Sequence, residues 1–316
     1  MNRRSIMLAG LLVAGCMTVP NSPVIADIPI NGSRIFPESI TSDAAGNIYN
    51  GSTAGTIYRA VAGGATAEPW IVPNPQNGLM SVFGVFADET HGMLWVCNNA
   101  PFGGRPPPPG TVSSLKGFDL KSGQPKASYN FPAGKPTACN DIAVARDGAV
   151  WASEISSGRI FYLPQGGNAL VLFAEAQELV GIDGIAFAGD GTLYINNVRQ
   201  QLFQRVNRKA DGSYAGLTNL TLSDKLNGPD GLRSIGGNKF LQAEGPGGRV
   251  ALIEVDGDSA KVTPIKTGLE SSPGVTRVGK VGYATEGKIN YLFDPALRDK
   301  DPGQFIIRAF SLPEGL

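Results

Sequence analysis

The sequence contains few of the residues that enzymes most often use as bases, metal ligands or nucleophiles. Its 316 residues include one histidine, His91, and three cysteines. His91 is in a short turn between two predicted strands, and no cysteine has a CxxC or Cys/His spacing. A mechanism with a histidine base, a zinc site and a thiol nucleophile are therefore not expected.

An excess of charge of either sign is also missing. There are 27 Lys and Arg residues and 27 Asp and Glu residues, and no five like charges are adjacent. The chain has no net field that would attract nucleic acid, and we expect none as a partner. With 42% hydrophobic residues it can bury a large core. The expected partner is a small molecule, and we expect a monomer.

Long apolar runs do not occur after the start of the chain. No segment there reaches the roughly 20 apolar residues that a membrane-spanning helix needs. The start itself combines Arg3 and Arg4 with an apolar stretch over residues 6–14. This pattern predicts a signal peptide and therefore an exported, periplasmic protein. The two arginines also resemble, weakly, a twin-arginine signal.

The three cysteines bear on processing and export. Small residues before Cys16 resemble a bacterial lipobox, so we predict a signal peptide over 1–16, lipid attachment at Cys16 as the only membrane contact, and a linker over 17–30. The alternative is a plain secretory signal cut near residue 26. Cys97 and Cys139 then remain, either as a disulfide or as two separate buried thiols, and the pattern does not decide between them.

One short phrase recurs along the chain. It consists of a polar residue, an alternating apolar strand, a turn of the Asp-x-Gly type, and a second strand that an aromatic residue introduces. Six copies are recognisable, at residues 38–49, 83–95, 140–151, 183–194, 230–240 and 273–283. No amphipathic helix of ten or more residues stands out between them.

The spacing of the copies indicates the architecture. Successive copies begin 43 to 57 residues apart, which is close to the length of one four-stranded propeller blade. We therefore predict an all-β fold, a six-bladed β-propeller over 31–316 with an axial metal site. A blade alone cannot bury its apolar faces, so the ring must close. We expect a strand over 304–311 to pair with the N-terminal segment for that closure.

The chemistry is expected where the first strands begin. In a propeller these strands lie along the central axis, so residues at equivalent starts converge on what we call the inner ring: Glu38, Phe83, Asn140, Asp183, Asp230 and Pro273. Buried like charges cost several kcal/mol unless a cation compensates them. Oxygen donors without His or Cys favour Ca²⁺, or alternatively Mg²⁺ or Mn²⁺. We predict a metal cage of Glu38, Asn140, Asp183 and Asp230, although each Asp or Asn alone could simply cap its own strand.

The same residues carry a family resemblance. The motifs Pro37-Glu38-Ser39, Cys139-Asn140-Asp141, Ile182-Asp183-Gly184 and Gly228-Pro229-Asp230-Gly231 resemble those of the senescence marker protein/gluconolactonase (regucalcin-like) family. The resemblance covers residues 38 to about 293. It implies a six-bladed propeller whose metal is held by a Glu, two Asn and an Asp, as similar cages are in diisopropyl fluorophosphatase and paraoxonase. It also implies that Asp230 is the catalytic base.

Two positions depart from the family pattern. Asp183 stands where an Asn is usual, which adds a negative charge to the predicted cage. Ala138 stands where sugar lactonases of the family tend to carry an Arg, two residues before the first Asn. Gluconolactone itself is therefore a weaker expectation than the reaction class.

A second set of polar residues follows the second strand of each blade, on the same face as the inner ring. We call these the outer ring: Ser52, Asn98, Glu154, Asn197, Glu244 and Glu286. With Phe83 they predict a polar, acidic substrate pocket for hydroxylated or neutral compounds. A Pro-rich loop over 99–111 is predicted to lean over its mouth. Its single charge, Arg105, could bind an anionic group, and a surface spacer is the alternative for this loop.

Two functions fit these residues. The first is a metal-dependent hydrolase of lactones or related esters, with Asp230 taking a proton from the attacking water. The second is a non-catalytic periplasmic ligand-binding or scaffold propeller in which Ca²⁺ only locks the ring. A metal-free lyase or synthase propeller is a third class. A panel of lactones and aryl esters, tested with and without EDTA, separates them.

Overall fold

The structure is a computed structural model, and it describes residues 25–101 and 110–316. These residues form six antiparallel sheets, one for each predicted repeat, which confirms the six-bladed propeller. The only helical elements described are a 3-10 turn at Gln177–Leu179 and the four-residue helix α1 at Asn290–Phe293. No helix in this part of the chain is long and apolar enough to cross a membrane.

Four blades are regular four-stranded meanders, numbered here from the axis outward. Blade 1 has β2 Pro37–Ser42, β3 Ile48–Ser52, β4 Ile57–Ala60 and β5 Glu68–Ile71. Blade 2 has β6 Ser81–Asp88, β7 Met93–Asn99, β8 Ser114–Asp119 and β9 Pro125–Asn130. Blade 3 has β10 Cys139–Val144, β11 Val150–Glu154, β12 Arg159–Leu163 and β13 Val171–Glu175. Blade 4 has β14 Ile182–Phe187, β15 Leu193–Asn197, β16 Leu202–Arg208 and β17 Tyr214–Asn219.

The last two blades differ from this plan. Blade 5 has β19 Pro229–Gly236, β20 Lys239–Glu244, β21 Arg249–Asp256 and β22 Ser259–Lys266, and the short β18 Thr221–Leu222 pairs in parallel with β22. Blade 6 has β23 Val275–Val278, β24 Val281–Thr285 and β25 Ile306–Ser311, and its outermost strand is the N-terminal β1 Ile28–Pro29. The two chain ends thus share one sheet.

The pairing of β1 with β25 closes the ring, as the sequence predicted. Ile28 pairs with Ile307 and Pro29 with Ile306. Strand β1 lies within residues 17–30, which the sequence analysis had assigned to a linker, so the propeller begins at residue 28. Short edge strands that pair in this way leave no open side in the ring.

The hydrophobic core lies between the blades. Six clusters of buried apolar side chains are present, and each joins two neighbouring blades, including blades 6 and 1. Between blades 2 and 3, for example, Phe131 packs edge-on against Phe161 with ring centroids 5.0 Å apart. The alternation of apolar residues in the repeats therefore buries both faces of every blade, which explains why the ring must be complete to be stable.

Candidate active site

The inner ring forms because the innermost strands bend at its residues. In blades 1 to 5 the pairing between first and second strands shifts at the inner-ring residue, for example between Cys139 and Ile142 and between Ile182 and Ile185. A β-bulge of this kind redirects a side chain and is common beside functional sites. Here it occurs in the five strands that carry Glu38, Phe83, Asn140, Asp183 and Asp230.

Close packing of the innermost strands requires glycine after several inner-ring residues. A Cβ at Gly184 would lie 2.6 Å from the carbonyl oxygen of Asp230, and one at Gly84 would lie 2.5 Å from that of Asn140. Both distances are too short for a side chain. Blades 1 and 3 instead carry Ser39 and Asp141 at the equivalent position, and both side chains point to a common partner described below.

All six inner-ring residues line one cavity of about 540 Å³ on the axis, as the sequence predicted. The other lining residues are Thr53, Asn99, Ala100, Pro101, Thr137, Ala138, Ile155, Ser156, Val198 and Ile289. Its volume is within the usual range for a small-molecule site. The four predicted metal ligands are thus brought together from blades 1, 3, 4 and 5.

The three carboxyl groups of the ring strongly perturb one another. Burial raises the pKa of Asp183 to about 8, with repulsion by Asp141 acting in the same direction and hydrogen bonds with Asp230 and Asn140 opposing both. Burial, followed by repulsion from Asp183 and Glu38, raises the pKa of Asp230 well above its usual value. Burial and repulsion from Asp183 likewise raise the pKa of Glu38. Groups perturbed in this way are typical of functional sites.

The donors suit a hard cation by their chemistry. One carboxyl oxygen of Asp183, Oδ1, is buried without a hydrogen-bond partner among the described residues, which is a costly arrangement unless a ligand completes it. As the side chains stand, however, no three Asp, Glu, His or Cys residues in the described chain are close enough together to hold a metal ion.

One central ion pair beneath the ring was not found from the sequence. The Arg233 guanidinium donates from Nη1 to both carboxylate oxygens of Asp141, at 2.8 and 2.9 Å. From Nη2 it donates to Ser39 Oγ at 3.2 Å and to the carbonyl of Val85 at 3.1 Å. A single side chain of blade 5 thus contacts blades 1, 2 and 3. Arg233 also lowers the pKa of Glu38, against the effect of burial.

The outer ring does not line the cavity, which corrects the sequence analysis. None of Asn98, Glu154, Asn197, Glu244 and Glu286 is among its lining residues, and all are buried. The residues one position later do line it in four blades: Thr53, Asn99, Ile155 and Val198. In blades 1, 3 and 4 the lining residue is the first residue of the turn after the second strand, so a prediction that is wrong by one residue selects a side chain that points elsewhere.

Each outer-ring side chain instead caps the backbone that enters its own blade. Glu154 Oε1 accepts from the Ala138 amide at 3.0 Å, and its Oε2 accepts from Arg159 Nε at 2.9 Å. Equivalent bonds join Ser52 to Ile35, Asn98 to Met80, Asn197 to Val180, Glu244 to Asn227 and Glu286 to Glu270. These partners precede the inner-ring residue by two or three positions. The outer-ring side chains therefore hold the backbone next to the inner ring in place and do not line the cavity.

The walls of the cavity are mainly apolar, whereas the sequence predicted a polar and acidic pocket. Phe83, Pro101, Ile155, Val198 and Ile289 contribute hydrocarbon surface above the acidic floor. The acidic side chains predicted for the rim are buried and accept hydrogen bonds from backbone amides instead of facing the cavity. This explains why the pocket is less acidic than the sequence predicted. Two other predicted residues, Arg105 in the loop and Cys16 at the lipobox, lie outside the described residues.

A disulfide joins blades 2 and 3 next to the ring. It links Cys97 of β7 to Cys139 of β10, which directly precedes Asn140. Asn99 reinforces the connection, because its Oδ1 accepts from the Cys139 amide at 2.9 Å and its Nδ2 donates to the Cys139 carbonyl at 2.8 Å. Of the two alternatives that the sequence left open for these cysteines, the structure has the disulfide.

The comparisons with known proteins agree with this architecture. A family model described as strictosidine synthase-like, N-terminal, matches residues 26–60. No curated protein sequence matches the chain. Among solved structures, a gluconolactonase from Xanthomonas campestris is 16% identical with a TM-score of 0.63, over 92% of this chain and 99% of that one. The fold is that of the gluconolactonase-like six-bladed propellers.

Two further solved structures extend this comparison. The major allergen Mala s 1 of Malassezia sympodialis is 15% identical with a TM-score of 0.67, over 90% of this chain and 95% of that one. A virginiamycin B lyase from Staphylococcus aureus is 16% identical with a TM-score of 0.57, over 83% of this chain and 96% of that one. One fold therefore serves proteins with different names, and the function has to be argued from the cavity.

Proposed function

We propose that the protein is a metal-dependent hydrolase of lactones or related esters. The observation that carries the proposal is the set of three buried, mutually repelling carboxyl groups and one carboxamide on the floor of a ligand-sized cavity. The gluconolactonase-like neighbours support a lactonase-type reaction. Glu38, Asn140, Asp183 and Asp230 are the residues that would hold the cation, with Ca²⁺ preferred and Mg²⁺ or Mn²⁺ as alternatives. A divalent cation there would polarise the carbonyl of the substrate.

Asp230 is the proposed proton acceptor. It lies on the cavity floor next to Asp183, at the position to which the resembling family assigns the base, and its carboxylate could accept a proton from a water molecule in the cavity. Water attacks the carbonyl carbon, its proton passes to Asp230, and the bond between that carbon and the ring or ester oxygen breaks. Asp230 then returns the proton to the leaving alkoxide, which gives the hydroxy acid, or an acid and an alcohol.

The alternative is a non-catalytic ligand-binding or scaffold propeller. It is favoured by Asp183 and Ala138, the two positions that depart from the pattern of the resembling family. The additional carboxylate of Asp183 would also reduce the positive charge available to polarise a carbonyl.

A substrate panel decides between the two functions. Purified protein is treated with EDTA, then supplied with Ca²⁺, Mg²⁺ or Mn²⁺ and tested against γ- and δ-lactones and aryl esters. Cation-dependent turnover is expected. Binding of the same compounds without turnover under every condition would support the scaffold instead.

We further propose export to the periplasm with a lipid anchor at Cys16, a monomeric state and no nucleic-acid partner. The Cys97–Cys139 disulfide supports export, because such bonds persist in oxidising compartments. Of the three cysteines in the sequence, Cys16 is the one that this disulfide does not use. Metabolic labelling with an alkyne fatty acid should mark the wild type and not Cys16→Ser. Labelling of neither would indicate a plain secretory signal.

A further inference from the structure

The cavity combines an acidic floor with walls that are largely hydrocarbon. The apolar members of the wall come from four blades, with Phe83 from blade 2, Ile155 from blade 3, Val198 from blade 4, and Pro273 and Ile289 from blade 6. A substituent of a substrate whose reacting group lies on the floor would thus be surrounded by hydrocarbon side chains on several sides.

Two polar side chains of the wall are already occupied. Asn99 Oδ1 accepts from Ser113 Oγ at 2.6 Å and from the Cys139 amide, while its Nδ2 donates to the Cys139 carbonyl. Thr137 Oγ1 accepts from the Ser113 amide at 2.8 Å. A substrate hydroxyl that approached Asn99 Oδ1 or Thr137 Oγ1 as a donor would compete with these bonds, and an unpaired buried hydroxyl costs about 1–3 kcal/mol.

The position of Ala138 adds to this. Its side chain is a methyl group, and its backbone amide donates to Glu154 Oε1 at 3.0 Å. No donor is therefore left at the cavity wall at this residue. Among the residues described, the cavity lining also contains no Lys or Arg, and three carboxyl groups form its floor. An anionic substituent would be repelled, and a polyol would lose more hydrogen bonds to water than the hydroxyl groups of Thr53 and Ser156 could replace.

We propose that the site selects neutral lactones or esters that carry a hydrocarbon chain, and that Ile155 and Val198 determine this preference. The inference rests on the proposed hydrolase function, which it makes more specific. Both side chains are half-buried and line the cavity at the residue after the outer ring, so they contact the substituent and not the reacting carbonyl. Chain length should then control affinity through the apolar area removed from water.

The test is a chain-length series. kcat/KM is measured for δ-lactones with alkyl substituents of increasing length and for gluconolactone. In the wild type, kcat/KM is expected to rise about fourfold with each methylene, corresponding to ~0.8 kcal/mol, until the cavity is filled. Gluconolactone is expected to be a poorer substrate than an alkyl lactone of similar size. A flat series, or a preference for the polyol, would overturn the proposal.

Two variants locate the effect. In Ile155→Thr/Val198→Thr each apolar side chain is replaced by a β-branched residue with a hydroxyl, so the backbone preference is kept. This double variant should reduce the dependence on chain length to about twofold or less for each methylene. The matched control is Val171→Thr, a 39% exposed position on the outermost strand of blade 3, which should leave the series unchanged. If Val171→Thr flattens the series as much as the double variant does, the assignment to the wall is wrong.

A binding experiment tests the apolar selectivity separately from the proposed hydrolase function. Lactams with the same alkyl substituents are neutral and resist hydrolysis, and their Kd is measured by calorimetry. If no lactone is turned over but lactam Kd falls about fourfold per methylene in the wild type and not in the double variant, the hydrolase proposal fails and the apolar selectivity stands. If lactams bind without any dependence on chain length, or do not bind, the selectivity proposal fails whatever the activity.

Discussion

The inner and outer rings are both built from polar residues at strand ends, yet they are opposites in their hydrogen bonding. Every outer-ring side chain is satisfied by backbone amides or carbonyls of the segment entering its own blade, and in blades 3, 5 and 6 also by an arginine. In the inner ring, Asp183 Oδ1 has no partner among the described residues, and the three carboxyl groups repel one another. A buried polar group with all its bonds made stabilises the fold, whereas several mutually repelling carboxyl groups around one cavity are typical of a ligand site.

The largest effect that tests this contrast is on activity. Asp230→Asn keeps an amide oxygen for a cation but removes the proton acceptor from the inner ring. We expect kcat/KM for the best lactone to fall about 10²–10⁴-fold with little change in melting temperature. Steady-state kinetics and calorimetry measure the two quantities.

Asp183→Asn is the matched control for that variant. It restores the amide that the resembling family usually has and reduces repulsion on the cavity floor, so we expect activity at the wild-type level or above while Ca²⁺ stays bound. Equal loss of activity in both variants would argue against a special role for Asp230.

The next effect is on the free energy of unfolding. It is tested by replacing one arginine beside each ring. Arg159→Met leaves Glu154 of the outer ring without its cation, and Arg233→Met does the same to Asp141 beneath the inner ring. Removing one partner of a buried ion pair costs about 3–5 kcal/mol, which denaturant unfolding can measure for both.

Only one of the two arginine variants should change Ca²⁺ affinity. Arg233 contacts Ser39 and Asp141, the neighbours of Glu38 and Asn140, so its loss should weaken binding in isothermal titration. Tighter binding in Arg233→Met would show that its positive charge matters more than its contacts. The Arg159 variant should bind Ca²⁺ like the wild type.

A moderate effect is expected when the cation is removed. A ligand that binds only the folded state stabilises it by about 2.7 kcal/mol at a concentration of 100 times its Kd. The melting temperature should therefore fall after EDTA treatment and recover with Ca²⁺. Glu154→Gln, an outer-ring variant, should keep this response, and Glu38→Gln should weaken it. A response that is the same in wild type and Glu38→Gln would place the cation elsewhere.

A further effect is expected in the pH dependence of the metal-free protein. The pKa of Asp183 is raised from an ordinary 3.8 to about 8, so between these values the folded state holds a proton that the unfolded state has lost. Its contribution to stability is complete below about pH 4 and is lost as pH rises through about 8. The melting temperature in EDTA should decrease over this window. The melting temperature of Asp183→Asn should decrease less over the same pH range. A wild-type melting temperature that rises with pH would contradict a raised pKa for Asp183.

Much of the fold could be predicted from the sequence because its signals are local and repeated. The alternating strands and Asp-Gly turns of residues 140–151 and 183–194 recur at blade-sized intervals, and a blade can be stable only in a closed ring. The convergence of Glu38, Asn140, Asp183 and Asp230 followed from the same repeat. Equivalent positions in equivalent blades must lie at the same height on the axis.

The cavity wall and the ion pair beneath it could not be predicted in the same way. Whether Glu154 or Ile155 faces the axis depends on one residue of register, which the bulges in the innermost strands shift. The Arg233–Asp141 contact joins residues 92 positions apart across the axis, and no local pattern encodes it. The sequence by itself determined the ring and its acidic floor, because both follow from repetition. Only the tertiary structure decided which neighbouring side chains meet the ligand, because that choice is made by contacts between blades.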